Sequence, residues 1–208
     1  MMKDTIELYL TLWGRRIRDC MTSQKYKDDT QPAPPVFKRK LVAHYAQHFQ
    51  CNVLIETGTY LGEMIEYQAK NFEKIYSIEV ADLLYNFSSR RLKKKKNISV
   101  MKGDSSIVLG KIMELISQND RVLFWLDGHY SGGKTGMGGG GMVCPIYNEL
   151  ASVFEMRKGC KDIILIDDAR LFNGTGGYPD LEELKHFVLD NLKNVKITVK
   201  EDVIRIEG

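Results

Sequence analysis

Six carboxylates stand at matching places in this chain. Glu56, Glu79, Asp104, Asp127 and the pair Asp167–Asp168 each end, or follow closely, a short apolar run: NVLIE, KIYSIEV, ISVMKG, RVLFWLD and DIILIDD. A solvated surface does not space acids so regularly, although any one of them could be a helix N-cap, as Asp104 before Ser105 and Ser106 could. The stretch Asn52–Gly62, NVLIETGTYLG, is the most informative. Glu56 would close a strand, and Gly58 and Gly62 would let the backbone of the next turn approach a bound nucleoside closely. Glu79 follows Gly58 by about 20 residues, where nucleotide-binding units place the acid that accepts from ribose hydroxyls. The loop reads E-x-G-x-x-x-G, not G-x-G-x-x-G, and an acid in first place suits a positively charged ligand.

The elements that must position these acids follow from periodicity. The five apolar runs are nearly continuous, as strands buried on both faces should be. Helical stripes separate them: Leu61, Met64, Ile65 and Phe72; Val108, Ile112, Leu115 and Ile116; and Val143, Ile146, Tyr147, Leu150, Val153 and Phe154. A further helix starts after Pro179, with Asp180 as N-cap and Glu183 completing a capping box. The closing NVKITVKEDVIRIEG alternates apolar and polar residues around KED and predicts a hairpin. Upstream, Ile6, Leu10, Trp13 and Ile17 predict an amphipathic helix over 4–19, and Val42, Tyr45 and Phe49 mark a second over 37–49. The expectation is one domain: a helical lid or extension over 1–50, and over 51–208 an α/β Rossmann-like three-layer core. Its mostly parallel seven-stranded sheet would have the order 3-2-1-4-5-7-6 with a C-terminal antiparallel hairpin.

IETGTYLG followed by YSIEV, KGDS and FWLDGH resembles the motif series of class I S-adenosylmethionine-dependent methyltransferases, over roughly residues 50 to 208. The resemblance implies that Glu56, Gly58 and Gly62 surround the methionine portion of the cofactor. Glu79 would bind the ribose, Val80 would pack on the adenine, and Asp104, with Gly103 and Ser105 beside it, would accept from the adenine amino group. Asp127 would border the same site. FWLDGHY and IILIDDAR are further similar to metal-dependent O-methyltransferases of the catechol and sugar type. That likeness implies Mg²⁺ on Asp127, Asp167 and Asp168, oxygen ligands that suit a hard ion. Asp127 and His129 would be the catalytic pair, with His129 taking the acceptor's proton. Lys134, Arg170 and Tyr178 are candidate substrate contacts at the rim.

Other signals compete. GHYSGGKT, residues 128–135, fits the phosphate-loop pattern, but GMGGGGM follows it where a helix must begin, so a mobile loop over the site is the better reading. A P-loop phosphotransferase and a non-catalytic S-adenosylmethionine-binding protein remain the alternatives. His44 and His48 lack the glutamate of a zinc helix, and RRLKKKKN closes a helix where cations complement its dipole. A net charge of +3 gives no argument for nucleic acid. Four scattered cysteines without a CxxC pair suggest reduced thiols and a cytoplasmic protein. No apolar run is long enough for a membrane span. The expected partner is a small-molecule acceptor, and a homodimer is allowed.

Overall fold

The computed structural model describes residues 2–21, 31–128 and 143–208. In chain order the elements are α1 (Met2–Met21), α2 (Pro35–His48), β1 (Val53–Thr57), α3 (Glu63–Gln68), β2 (Lys74–Glu79), α4 (Asp82–Leu92), β3 (Ile98–Lys102), α5 (Ser105–Met113), β4 (Val122–Leu126), α6 (Ile146–Met156), β5 (Ile163–Ile166), α7 (Leu181–Asn191), β6 (Lys196–Lys200) and β7 (Val203–Glu207). The sheet order is β3-β2-β1-β4-β5-β7-β6, parallel except where β7 pairs antiparallel with β5 and β6. The expected α/β architecture and hairpin are therefore both present. Helix α2 starts two residues earlier than expected because Pro35 occupies its first turn, where a missing N–H costs nothing. Asp180 caps α7 as expected, but the N–H it accepts from belongs to Glu182.

Alternation along the strands builds three layers. Val53 and Ile55 of β1, Phe124 and Leu126 of β4, and Ile164 and Ile166 of β5 face α5, α6 and α7. Leu54, Leu123, Trp125 and Leu165 point the other way, onto Val42 and Tyr45 of α2 and Ile65 of α3. Full burial of such a side chain contributes about 1.5–3 kcal/mol, so these central strands need continuous apolar runs.

Helix α1 forms as expected but turns the other way. Leu8 and Leu12 are its buried residues and pack with Leu61, Leu84 and Phe87. The predicted stripe faces solvent, with Ile6 54%, Leu10 63%, Trp13 65% and Ile17 43% exposed. Arg15 Nε holds Glu63 at 2.5 Å and Arg16 holds Glu66 at 2.6 Å, which ties α1 across the start of α3. Helix α1 is thus a strap beside the Gly58–Gly62 turn. Among the described residues, no helix is long and apolar enough to cross a membrane.

Candidate functional site

The sheet reverses its order of travel between β1 and β4, so the crevice at their carboxyl ends is the switch point. Gly58 sits there with φ +84°, and a Cβ on it would lie 2.4 Å from the Asp127 carbonyl oxygen. Only glycine lets the two strand ends come this close. The Asp127 N–H donates to the Thr57 carbonyl at 3.2 Å and to Thr57 Oγ1 at 3.1 Å, which fixes the junction. Gly62, at φ +74°, is the left-handed N-cap of α3. Arg91 donates to the Leu61 carbonyl at 2.6 Å and pairs with Glu66 at 2.7 Å. One member of the basic run RRLKKKKN therefore braces this turn instead of only solvating a helix end.

Two of the expected acids are buried beside that turn. Ser77 Oγ donates to Glu56, and Ser77 lies 2.6 Å from Thr59 Oγ1. Burial pushes the Glu56 carboxyl well above its ordinary value, and the Ser77 hydrogen bond only partly opposes it. Glu79 accepts from the backbone N–H of Tyr60 at 2.8 Å and of Ala81 at 2.9 Å, one on each oxygen. Its carboxyl is raised by burial, against those N–H donors. Val80 is half-buried next to it. Gly103 donates its N–H to the Glu79 carbonyl at 3.1 Å. Asp104 caps α5, accepting from Ser106 N at 2.9 Å and Ser106 Oγ at 2.7 Å. Ser105, in the first turn of that helix, is buried.

At the neighbouring strand end a second acid group collects. Oxygens of Asp167, Asp168 and Asp202 all lie within 4.8 Å of one another, close enough for a cation. Asp168 adopts φ +56°, a left-handed conformation uncommon outside glycine. Two cations already stand among these acids. Lys38 Nζ, from α2, is 2.6 Å from Asp167 Oδ2 and 3.0 Å from Asp168 Oδ1. The Arg170 guanidinium is 2.8 Å from Asp168 and also pairs with Asp202, whose side chain accepts from the Arg170 backbone N–H at 2.9 Å. Burial alone would lower the Lys38 ammonium, but Asp167, Asp168 and Asp127 together hold it above its ordinary value. A cavity of about 130 Å³ joins the two acid groups, with Lys38, Glu56, Gly58, Trp125, Asp127 and Asp167 on its wall.

The sequence-predicted residues are thus divided. Glu56, Gly58, Asp127 and Asp167 share one cavity, and Glu79 lies one strand away, with one oxygen on the Tyr60 N–H of the same turn and the other on the Ala81 N–H just after β2. Arg170 is spent on Asp168 and Asp202, and Tyr178 packs edge-on against Phe172 at 5.6 Å. His129, Lys134 and most of the phosphate-loop pattern lie outside the described residues. The expected Mg²⁺ does not fit this arrangement. Mg²⁺ needs octahedral oxygen ligands and keeps several waters, and here an ammonium already occupies the gap between two of the three acids. Lys38 went unpredicted, although its spacing was visible: it precedes Val42 by one helical turn, a lysine in line with the buried stripe of α2. Asp202 was read only as part of the hairpin turn.

No family model matches the sequence, and no curated protein matches it. Solved structures do match. A methyltransferase from Podospora anserina bound to S-adenosylhomocysteine superposes with a TM-score of 0.58 at 13% identity, covering 86% of this chain and 80% of that one. The chain has the class I methyltransferase fold. An O-methyltransferase of tomaymycin synthesis from Streptomyces achromogenes, in complex with S-adenosylmethionine, gives 0.56 at 15% identity, covering 85% and 80%. An O-methyltransferase from Bacillus cereus, in complex with S-adenosylhomocysteine, gives 0.58 at 12% identity, covering 99% of this chain and 91% of that one. At such identities the methyltransferase fold is what is shared, and the chemistry has to be argued from the residues of this chain.

Proposed function

We propose that this chain transfers a methyl group from S-adenosylmethionine to a hydroxyl oxygen of a small molecule, such as a sugar or a secondary metabolite. The observation that carries this reading is the junction at the switch point, where Gly58 brings the first turn against the end of β4 between two buried acids, Glu56 and Glu79. Structures of the same fold in complex with S-adenosylmethionine or S-adenosylhomocysteine support it.

Glu79 suits a ribose diol. Each carboxylate oxygen has already accepted one backbone N–H, which fixes the group in place and leaves further lone pairs for the two hydroxyls. Glu56 answers the cationic amino-acid end. Buried without a basic hydrogen-bond partner among the described residues, its carboxyl ionises at a cost that a bound cation offsets. Val80 and the Gly103–Ser105 turn flank the adenine end. When bound, the cofactor supplies an electrophilic methyl: the C–O bond forms as the S–C bond breaks, and its electron pair stays on sulfur. The hydroxyl proton passes to a base at the rim, for which Asp127 and His129 are the nominees. The test is transfer of labelled methyl from S-adenosylmethionine into a panel of phenols and sugars. Asp127→Asn is expected to abolish incorporation while leaving cofactor affinity within a few-fold of the parent. Label that went only into added RNA or protein would contradict a small-molecule acceptor.

A further inference from the structure

We propose that the Lys38 ammonium is a resident substitute for a divalent ion at the acceptor rim, so that methyl transfer here is metal-free. The placement of the charge rests on the acid cluster alone; its role toward an acceptor rests on the methyl-transfer reading above. An ammonium has three N–H donors, and Asp167 and Asp168 take two. The third is left for the cavity, whose wall Lys38 shares with Asp127 and Trp125. An oxygen placed there would receive from Lys38 what a metal would give it, a fixed positive charge beside the developing bond. As the C–O bond forms and the S–C electron pair moves to sulfur, the hydroxyl proton goes to the rim base, and Lys38 neither gains nor loses one. A purely structural role explains the position less well, because a buried ion pair adds little net stability and this one lies on a cavity wall.

Mn²⁺ titrated into the full chain and followed by electron paramagnetic resonance tests the assignment. The parent protein is expected to leave the Mn²⁺ signal free, with or without S-adenosylhomocysteine. Lys38→Ala should open the acid cluster and bind Mn²⁺ at least about tenfold tighter, and adding Asp167→Asn should remove that binding. Lys38→Arg should keep the ion out. Parent protein that binds Mn²⁺ and loses it in Asp167→Asn would overturn the proposal, as would a Lys38→Ala variant that stays folded and binds none. With any methylated phenol or sugar, turnover should persist in EDTA and fall by about 100-fold in Lys38→Ala at unchanged S-adenosylhomocysteine affinity. Turnover lost in EDTA and restored by Mg²⁺ would also overturn it. Failure of the parent to bind S-adenosylhomocysteine would sink the cofactor reading and leave the Mn²⁺ outcomes to decide the cation.

Discussion

Glu56 is the residue whose cost and use can be separated. Its folded carboxyl sits above the ordinary 4.5, so the fold binds that proton more tightly than the unfolded chain does. Stability from this group is therefore present below 4.5 and is lost as pH rises through the folded value, after which it levels off. Glu56→Gln keeps an acceptor for Ser77 but cannot ionise. Calorimetric scans at about pH 4 and about pH 8 should show a variant melting with the parent in acid and above it in base, together with weakened cofactor affinity at the higher pH. Equal melting differences at both pH values would contradict the buried, uncompensated carboxyl. Gly58 has no such dual character. Gly58→Ala would place a methyl against Asp127 backbone at a left-handed φ, and urea unfolding should show a loss of about 2–4 kcal/mol. At this scale the sequence was informative for Glu56, Gly58 and Glu79, whose types are dictated by strand ends and close approach. It was silent on Lys38, because a lysine on a helix reveals its partner only once the helix has docked.

At the scale of elements, periodicity identified every strand and nearly every helix, yet it did not say which face of α1 meets the core. That helix carries two apolar rows, Leu8 with Leu12 and the longer row through Leu10 and Trp13, and the shorter row is the buried one. The Arg15–Glu63 and Arg16–Glu66 pairs select it, and they depend on where α3 lies. Leu12→Ala should then cost about 2–4 kcal/mol in urea unfolding, whereas Ile107→Ala, on the exposed side of α5, should cost under about 0.5 kcal/mol. Asp104 carries a similar lesson. A strand-end acid before two serines fits a ligand and a cap equally well in sequence, and the structure shows the cap.

At the scale of the whole molecule, the parallel sheet places β1, β2 and β4 so that their carboxyl ends share one crevice. Topology brings Glu56, Glu79 and Asp127 together from distant stretches of chain, and the spacing of the apolar runs made that order legible in advance. The acceptor was not legible, because the α2 side of the cavity wall, with Pro35, Lys38 and Arg39, carries no repeating constraint that fixes residue type. Titration calorimetry with S-adenosylhomocysteine is the most direct test of the central claim, that this crevice holds S-adenosylmethionine. The parent protein should bind, and Glu79→Ala should weaken binding by at least about tenfold through loss of hydrogen bonds to a charged group. No binding by the parent, or tight ATP binding that Lys134→Ala abolishes, would contradict it.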